Sequence, residues 1–403
     1  MTRLIARQPL FDAREKVKAY DLVFSFDPNE LFSDEKLKTE LPDDIRQSLY
    51  GSNGAGVTTP INDVSIEVGP EFILNEDIKQ LSRKNVVLYI PERFDIDQQY
   101  LDAIRAIRED GFKVALGPFA TEDEFRDLAV LADQVVVDFR AKSESDLRIF
   151  PVWCKSHGIK TIAHNLVSRQ DFIMARRLEY SYFHGSFFYK PEYVEKSEIP
   201  GFKLNYLRLL QEINQSDISF DRLNEIIKQD VSLSYKLLKY INSAAFGLRN
   251  EIESIKHALT MLGLSLVKRW SSLVAIANIG EGLPEEALVT CMIRGRFLEE
   301  LGKRIGKGDR GDDLFFMGIF SMIDLFFSRP LEEILKEMPL KNDIKLAILG
   351  QGGEFSDLLS MVKSYEDGDW DPLQAQVAKL GINEDQVPEI YFDTLDWAQK
   401  LFR

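Results

Sequence analysis

The sequence predicts an α/β domain followed by an all-α domain, that is, a shortened (β/α) barrel and then a helical bundle. Three observations lead to this prediction. The chain has 403 residues, which is more than one ordinary domain needs. Short β-rich runs alternate with amphipathic segments of helical length up to about Tyr189. After Pro191 the apolar residues recur at helical spacing instead.

Eight β-rich runs are expected to build the barrel, with crossover helices near 71–83, 97–110, 122–132, 143–157 and 168–179. The predicted strands are Leu4–Leu10, Tyr20–Phe26, Val64–Val68, Val86–Ile90, Lys113–Phe119, Gln134–Phe139, Lys160–Asn165 and Tyr182–Tyr189. Eight strand–helix units normally need about 250 residues, so part of this barrel is expected to be trimmed, around Ser33–Pro60. Gly51–Gly56 in that stretch lacks the Gly-Lys-Ser/Thr of a phosphate loop and is interpreted as a flexible connector.

The second half is predicted to be helical throughout. Its apolar stripes include Leu207, Leu210 and Ile213, and a polar stretch from Lys190 to Gly201 suits a linker. Ser219, Ser232 and Ser254 are predicted helix N-caps, and Gly247, Gly263 and Gly280 are predicted helix ends. The aromatic residues of the last segment, among them Tyr391 and Trp397, are expected to join the core, with docking on another protein as the alternative. We therefore divide the chain into domains 1–195 and 196–403.

Charge and cysteine content exclude several classes of function. The formal net charge is −15 and both halves are acidic, which argues against binding to nucleic acid or to an anionic membrane surface. No run approaches the roughly 18 apolar residues of a membrane span, and the N terminus lacks the features of a signal peptide. Cys154 and Cys291 are the two cysteines, which excludes a disulfide framework. We expect a soluble, cytoplasmic protein.

Four segments of the first half resemble the EAL domain family in order and spacing. They are Gln8–Asp12, Tyr20–Ser25, Val114–Phe119 and Ile162–Val167. That family consists of TIM-like barrels that hydrolyse cyclic di-GMP. Phosphodiester hydrolysis of this kind needs divalent cations, and hard cations are held by several converging carboxylate or amide oxygens.

The resemblance implies that most of the family's metal and substrate positions have changed in this chain. Carboxylates remain at three of them, Asp21, Glu67 and Asp138. Other residues stand elsewhere: Tyr89 replaces a Glu, Gly117 and Pro118 an Asp pair, Val136 a Lys, His164 and Val167 two Glu, Ser25 a phosphate-binding Arg, and His184 a Gln. Because a two-metal hydrolase needs more ligands than three carboxylates, the sequence predicts no catalytic residue, no metal site and no cofactor.

The surviving polar residues have more than one interpretation. Asp21 is a relic ligand without function or a surface carboxylate, and Asp138 holds the barrel mouth together by hydrogen bonding. His164 and His184 are polar filler at strand ends, with a transition-metal pair beside Asp21 as the alternative.

The second half resembles the HDOD domain, an all-α output domain related to HD hydrolases. The resemblance rests on Ile226–Gly247 and Ile255–Gly263. Its motif positions are Asp230, Asn242, Ser243, Phe246 and Gly247. HD hydrolases hold metal with His and Asp residues, but this chain has Ser321-Met322 where the His-Asp pair is expected. The metal site therefore cannot be built.

The two resemblances together imply a bacterial signalling protein of the EAL–HDOD architecture. The expected function is a non-catalytic signal-transduction scaffold whose partners are other signalling proteins, such as a sensor kinase or a cyclic di-GMP enzyme. A homodimer through the barrel is also expected. The alternatives are a sensor that binds cyclic di-GMP and a weak residual phosphodiesterase that uses Asp21, Glu67 and Asp138.

Overall fold

The computed structural model describes residues 3–33, 41, 43–50, 63–91, 98–117, 128–191, 201–213, 215, 218–242, 251–338 and 340–402. The predicted connector Gly51–Gly56 and the predicted linker residues 192–200 lie outside these ranges. So do Pro118, Ser243, Phe246 and Gly247 among the predicted site residues.

Eight strands close into a barrel in the order β1 to β8, as the sequence predicted. The strands are β1 Ile5–Phe11, β2 Val17–Phe24, β3 Asp63–Glu67, β4 Val86–Ile90, β5 Lys113–Leu116, β6 Gln134–Asp138, β7 Lys160–His164 and β8 Tyr182–His184. Strands β2 to β8 run parallel, and side chains such as Leu10, Val87 and Ile162 fill the barrel with an apolar layer.

β1 departs from a uniformly parallel sheet, because it is antiparallel to both β2 and β8. Asp12–Lys16 between β1 and β2 is a tight turn, in which the amide of Asp12 donates to the carbonyl of Lys16 at 2.9 Å. A parallel connection needs a dozen or more residues, so this short turn can only make a hairpin. No crossover helix separates β1 from β2.

Helices of the first half lie mostly where the hydrophobic pattern predicted them. They are α1 Glu30–Ser33, α2 Asp43–Tyr50, α3 Pro70–Leu74, α4 Gln98–Glu109, α5 Glu144–Ser156 and α6 Arg169–Arg177. The helix predicted at 71–83 is broken: α3 is followed by a 3₁₀ helix at Glu76–Gln80. Asn75 between them is extended and its side chain accepts from the amide of Asp77, which caps the second segment.

The last predicted strand, Tyr182–Tyr189, is too long. β8 ends at His184, and Gly185 follows with a positive φ of 133°. A Cβ at Gly185 would lie 2.3 Å from the carbonyl oxygen of Leu166, so glycine is required where the chain turns away. A 3₁₀ helix then covers Ser186–Phe188.

The second half is helical, as predicted. Its helices are α7 Gly201–Ile213, α8 Phe220–Lys228, α9 Val231–Ile241, α10 Ile255–Ile279, α11 Glu285–Arg304, α12 Gly311–Phe320, α13 Ile323–Phe327, α14 Leu331–Glu337, α15 Asn342–Ile348, α16 Glu354–Asp367, α17 Trp370–Leu380 and α18 Val387–Phe402. Tyr391, Phe392 and Leu395 of α18 are buried, so the last helix joins the core.

Most of the predicted helix ends in the described part of this half are confirmed. Ser219 caps α8 by accepting from the amide of Arg222, and Gly280 ends α10. Gly263 breaks α10 with a positive φ of 72°. Ser232 was wrong as an N-cap: Asp230 caps α9 instead, because its Oδ1 accepts from the amides of Ser232 at 2.8 Å and Leu233.

The helical half packs against the β1–β2 hairpin, where the missing crossover helix leaves the barrel wall uncovered. α16 contacts β1, and the buried hydroxyl of Tyr365 donates to the carbonyl of Ile5 at 3.2 Å. The hydroxyl of Tyr20 in β2 donates to Oε2 of Glu286 in α11 at 3.0 Å. The second half therefore completes the wall of the first.

Within the part of the chain that the structure describes, no single helix combines the length and apolar character of a membrane span. Ile255–Leu264 and Leu266–Ile279 meet the test only when taken together across a bend of 112°.

Candidate functional site

The carboxyl ends of the parallel strands meet at one end of the barrel, which we call the mouth. Catalytic sites of (β/α) barrels lie at this end. The structure brings Asp21 of β2 together with His164 and His184, the last residues of β7 and β8. We call these three residues the mouth cluster. Glu67 and Asp138, the last residues of β3 and β6, act electrostatically on His164.

The side chain of Asp21 is partly buried at the mouth, with 28% of its surface exposed. Its Oδ2 lies 3.4 Å from Nε2 of His184, and its side chain is hydrogen-bonded to Ser65 on the neighbouring strand. Burial raises the pKa of this carboxyl, which the Ser65 hydrogen bond and the nearby His164 counteract. The two interpretations of Asp21, as a relic ligand without function or as a surface carboxylate, therefore stay predictions.

The two histidines stack on one another with ring centroids 4.6 Å apart and planes 2° from parallel. Burial lowers the pKa of each imidazole to about 4, and each is therefore neutral at pH 7. His184 is 6% exposed, and neither ring nitrogen makes a hydrogen bond within the described residues. The 3.4 Å approach to Asp21 brings the two groups close without hydrogen-bonding geometry.

Tyr89 and Gly117, which stand at two changed EAL positions, are hydrogen-bonded to one another. The hydroxyl of Tyr89 donates to the carbonyl of Gly117 at 2.9 Å. Gly117 has a positive φ of 123°, and a Cβ there would lie 2.5 Å from the carbonyl oxygen of Val136. Val136 is itself buried in the apolar layer of the barrel. An aspartate side chain at Gly117 would require this backbone to move.

Other predicted positions make hydrogen bonds to nearby parts of the chain. Oδ1 of Asp138 accepts from the amides of Arg140 at 2.8 Å and Ala141 at 3.2 Å, which supports the predicted structural role. Oγ of Ser25 accepts from the amide of Leu4 at 2.8 Å. The amide of Val167 donates to Oδ2 of Asp171, beside the capping box of α6.

Among the described residues, no three His, Cys, Asp or Glu side chains form a group that could hold a metal ion. The alternative in which His164, His184 and Asp21 bind a transition metal fails because the two imidazole rings are stacked. Parallel imidazoles one above the other do not direct their nitrogens at a common point.

The turn between α16 and α17 overhangs the mouth. Nε2 of Gln8 donates to the carbonyl of Asp367 at 2.8 Å, and the Tyr189 hydroxyl donates to Oδ1 of the same residue at 3.0 Å. The indole of Trp370 donates to the carbonyl of Phe24, the last residue of β2. Gly368 has a positive φ of 70° and packs so closely on Val23 that a Cβ would lie 2.8 Å from Cγ1.

A cavity of about 500 Å³ remains between this turn, α11 and the mouth. We call it the interdomain cavity. Both halves line it: His164 and His184 from the barrel, and Glu286, Glu366 and Tyr391 from the helical half.

Two predicted HDOD positions in the described part lie at the two ends of α9. Asp230 caps α9. Asn242 ends it, where its Nδ2 donates to the carbonyl of Ile252 at 2.9 Å and its Oδ1 accepts from the Ile252 amide at 2.8 Å. The side-chain amide of Asn242 thus links the end of α9 to the backbone of Ile252, which favours a structural role for this motif position.

A buried ion pair lies beside Ser321, and the sequence analysis missed it. Arg294 is 4% exposed, and its Nη2 lies 2.6 Å from Oε2 of Glu366. Its Nη1 donates to Oγ of Ser321 at 2.9 Å, which in turn donates to the carbonyl of Gly318. We call Arg294, Ser321 and Glu366 the arginine cluster. A charged residue inside the apolar stripe of α11 was the available signal, but nothing local pointed to its partner.

Comparison with known proteins agrees with this architecture. Residues 199–338 match the family model of the HDOD domain. The uncharacterized protein YuxH of Bacillus subtilis is 25% identical over 100% of this chain and 99% of its own length. CdgJ of Vibrio cholerae, named a cyclic di-GMP phosphodiesterase, is 22% identical over 100% of this chain and 94% of its own.

The crystal structure of the EAL domain of Mycobacterium smegmatis DcpA aligns with 46% of this chain and 90% of its own, with 18% identity and a TM-score of 0.36. In this chain a closed eight-stranded barrel therefore precedes a helical region whose residues 199–338 match the HDOD family model.

Proposed function

We propose that this protein is a non-catalytic signal-transduction scaffold, in which the barrel is a docking module and the HDOD domain recruits partners. The hydrogen bond between Tyr89 and Gly117 is the observation that carries the proposal. It joins two positions where the EAL resemblance implies metal-binding carboxylates. A barrel mouth whose residues bond to one another has fewer free oxygens to offer a divalent cation.

The helical half supports the same proposal. The arginine cluster places a buried guanidinium against Ser321, the position where the HD resemblance implies a metal-binding pair. Arginine stays protonated in proteins, so a divalent cation at this point would meet a fixed positive charge.

The residue at position 25 also favours a scaffold over a cyclic di-GMP receptor. Ser25, at the position of the phosphate-binding Arg, uses its Oγ to accept from the Leu4 amide. A neutral hydroxyl engaged in this way gives a phosphate neither charge nor bidentate contact. The turn at Asp367 further restricts access from above.

A full-length pull-down from the native cell tests the scaffold. We expect a signalling protein, such as a sensor kinase or a cyclic di-GMP enzyme, to be recovered in comparable amounts with the native chain and with Asp21→Ala. Recovery of nucleic acid alone, or loss of every partner with Asp21→Ala, would contradict the proposal. Sedimentation of the purified chain tests the homodimer separately.

The second candidate is a residual phosphodiesterase or sensor of cyclic di-GMP, and the full-length similarity to CdgJ favours it. Asp21, Glu67 and Asp138 would supply its carboxylates. Calorimetric titration of the full chain with cyclic di-GMP separates the candidates. The scaffold predicts no saturable heat, with or without Mg²⁺ or Mn²⁺. Saturable binding that Asp21→Ala weakens would favour the sensor or the enzyme.

A further inference from the structure

Another cavity lies at the end of the barrel opposite the mouth, where the parallel strands begin. Its volume is about 520 Å³, within the usual range for small-molecule sites, and we call it the amino-end cavity. Five of its lining residues are the first residues of their strands: Asp63 of β3, Lys113 of β5, Gln134 of β6, Lys160 of β7 and Tyr182 of β8. Ala115, Val136 and Ile162, two residues further along β5, β6 and β7, belong to the apolar layer that fills the barrel. This layer separates the amino-end cavity from the mouth.

Gln134 brings an unused side-chain amide to the amino-end cavity. Residues two apart on a strand face the same side, so Gln134 points towards the barrel axis as Val136 does. Gln134 is 9% exposed, and its side-chain amide makes no hydrogen bond within the described residues. Unlike the ring nitrogens of His184, neither amide atom is fully sealed from solvent, so the amide opens into the cavity that Gln134 lines. Since buried polar groups nearly always have a partner, this amide is available to a bound molecule.

Lys160 and Tyr182 add further hydrogen-bond donors to the same cavity. Nζ of Lys160 donates to the Tyr182 hydroxyl at 2.9 Å and lies 5.3 Å from the centroid of its ring. Within the described residues this hydroxyl donates to no other group, so its own proton is free, and the ammonium keeps two more N–H groups. No carboxylate in the described part of the chain lies within ion-pairing distance of Lys160.

The other lysine, arginine and aspartate side chains of the lining are paired with one another. Nζ of Lys113 donates to Oδ2 of Asp63 at 3.0 Å, and Nη2 of Arg108 donates to Oδ1 of Asp133 at 3.0 Å. The second oxygen of Asp133 accepts from a backbone amide at 2.9 Å. These two ion pairs leave the charge of Lys160 unbalanced. The amino-end cavity therefore combines a surplus positive charge with free donor groups.

We propose that the amino-end cavity binds a small polar molecule that carries an oxyanion, either a carboxylate or a phosphoryl group. The oxyanion meets the ammonium of Lys160 and the hydroxyl of Tyr182, and the Gln134 amide meets a polar group of the same molecule. An ionised oxyanion accepts hydrogen bonds and carries the charge that Lys160 lacks nearby. A cation would be repelled by the same ammonium. This site is independent of the scaffold function and of the mouth.

Calorimetric titration of the full chain at constant ionic strength tests the proposal with matched probes. Glycerol phosphate carries the phosphoryl group and glycerate carries the carboxylate. Glycerol is the neutral control, and serinol is the cationic control. We expect at least one of the two anions to bind saturably and at least about tenfold more tightly than both controls, and the tighter anion identifies the group that the site takes. No saturable binding of either anion up to about 10 mM, or equal binding of glycerol, would overturn the proposal.

Variants of the lining locate the site. Lys160→Met is expected to weaken binding of the anion about tenfold, whereas Lys379→Met, which removes the same charge from an exposed side chain of the helical half, leaves it unchanged. Gln134→Leu removes the amide and is expected to weaken binding about threefold. Lys160→Met decides the matter if Gln134→Leu fails to fold, because Lys160 is exposed. Undiminished affinity in the folded lining variants, or a loss that appears with Asp21→Ala instead, would place the anion elsewhere and refute the site.

Discussion

Two buried polar clusters of this molecule are built in opposite ways. In the arginine cluster, Arg294 directs its guanidinium nitrogens at Glu366 and Ser321. In the mouth cluster, His184 has no hydrogen bond within the described residues, and burial raises the pKa of its neighbour Asp21. The first cluster joins α11 and α16 to the end of α12, whereas His164 and His184 of the second line a cavity.

Burial of polar groups alone therefore does not reveal their role. Breaking a buried, fully hydrogen-bonded ion pair destabilises the fold strongly, because removing one partner leaves the other charge unpaired. A cluster with unmet hydrogen bonds instead costs stability and is expected where a guest binds or where an ancestral site has lost ligands. The following predictions test this contrast, beginning with the largest effect.

Breaking the arginine cluster is expected to cost most. Arg294→Met should lower the free energy of unfolding by about 3–5 kcal/mol, because Glu366 and Ser321 lose their buried partner. Urea denaturation measures the change.

Two controls sharpen this prediction. Lys303→Met, which removes an exposed ion pair with Glu300, should cost less than about 1 kcal/mol. The double variant Arg294→Met with Glu366→Leu should recover part of the loss, since no buried charge is then left alone. A single variant as stable as the native chain would show that the cluster is not structural.

The mouth cluster is expected to make stability depend on pH. The pKa of His164 and His184 lies near 4 in the folded chain and near 6.5 in the unfolded chain. Between these values the unfolded state binds more protons, so stability falls as the pH falls. His184 should contribute up to about 1.4 kcal/mol per pH unit, which Asp21, whose pKa is raised, partly offsets.

Urea denaturation of the full chain across this window measures the slope. His184→Phe should flatten it, because phenylalanine removes the titrating imidazole. An identical slope for native chain and His184→Phe would mean that the imidazole is hydrated rather than buried.

The crossing of α11 and α12 should be sensitive to a single methyl group. A Cβ at Gly318 would lie 2.5 Å from the Cα of Gly295 and 2.8 Å from the carbonyl carbon of Arg294. Gly318→Ala should therefore cost about 1–3 kcal/mol in a thermal or urea unfolding measurement. Gly308→Ala is the control, because its Cβ would meet nothing closer than 3.7 Å. Equal stability of the two variants would show that the helices can separate freely.

The smallest expected change in the free energy of unfolding concerns the contact between the two halves. Tyr365→Phe removes the hydroxyl that donates to the carbonyl of Ile5, which should cost about 0.5–1.5 kcal/mol. Tyr235→Phe, at a side chain that is 64% exposed, should have no measurable effect on unfolding. A loss confined to Tyr235→Phe would reverse the account of how the halves are joined.

Local patterns in the sequence predicted the strands well, because each strand carries a β-rich run such as Val86–Ile90. The EAL resemblance, rather than the local pattern, implied that Asp21, His164 and His184 lie at the mouth, where the structure brings them together. The pattern of strands did not predict the antiparallel direction of β1. That direction follows from the turn Asp12–Lys16, which is too short for a parallel connection.

Contacts between distant segments had no comparable signal. Arg294 and Glu366 are separated by 72 residues, and neither lies in a motif. The close approach of Gly318 to Gly295 depends on how two helices cross, which hydrophobic spacing does not specify. The interdomain cavity likewise follows from packing between the halves and could not be predicted from either half alone.

The central proposal is that the barrel mouth does not support metal-dependent catalysis. Turnover of cyclic di-GMP by the full chain at high protein concentration, in Mg²⁺ and in Mn²⁺, tests it most directly. The account predicts no linear dinucleotide above that formed by an Asp21→Ala preparation purified in the same way. Metal-dependent hydrolysis by the native chain that disappears with Asp21→Ala would contradict it.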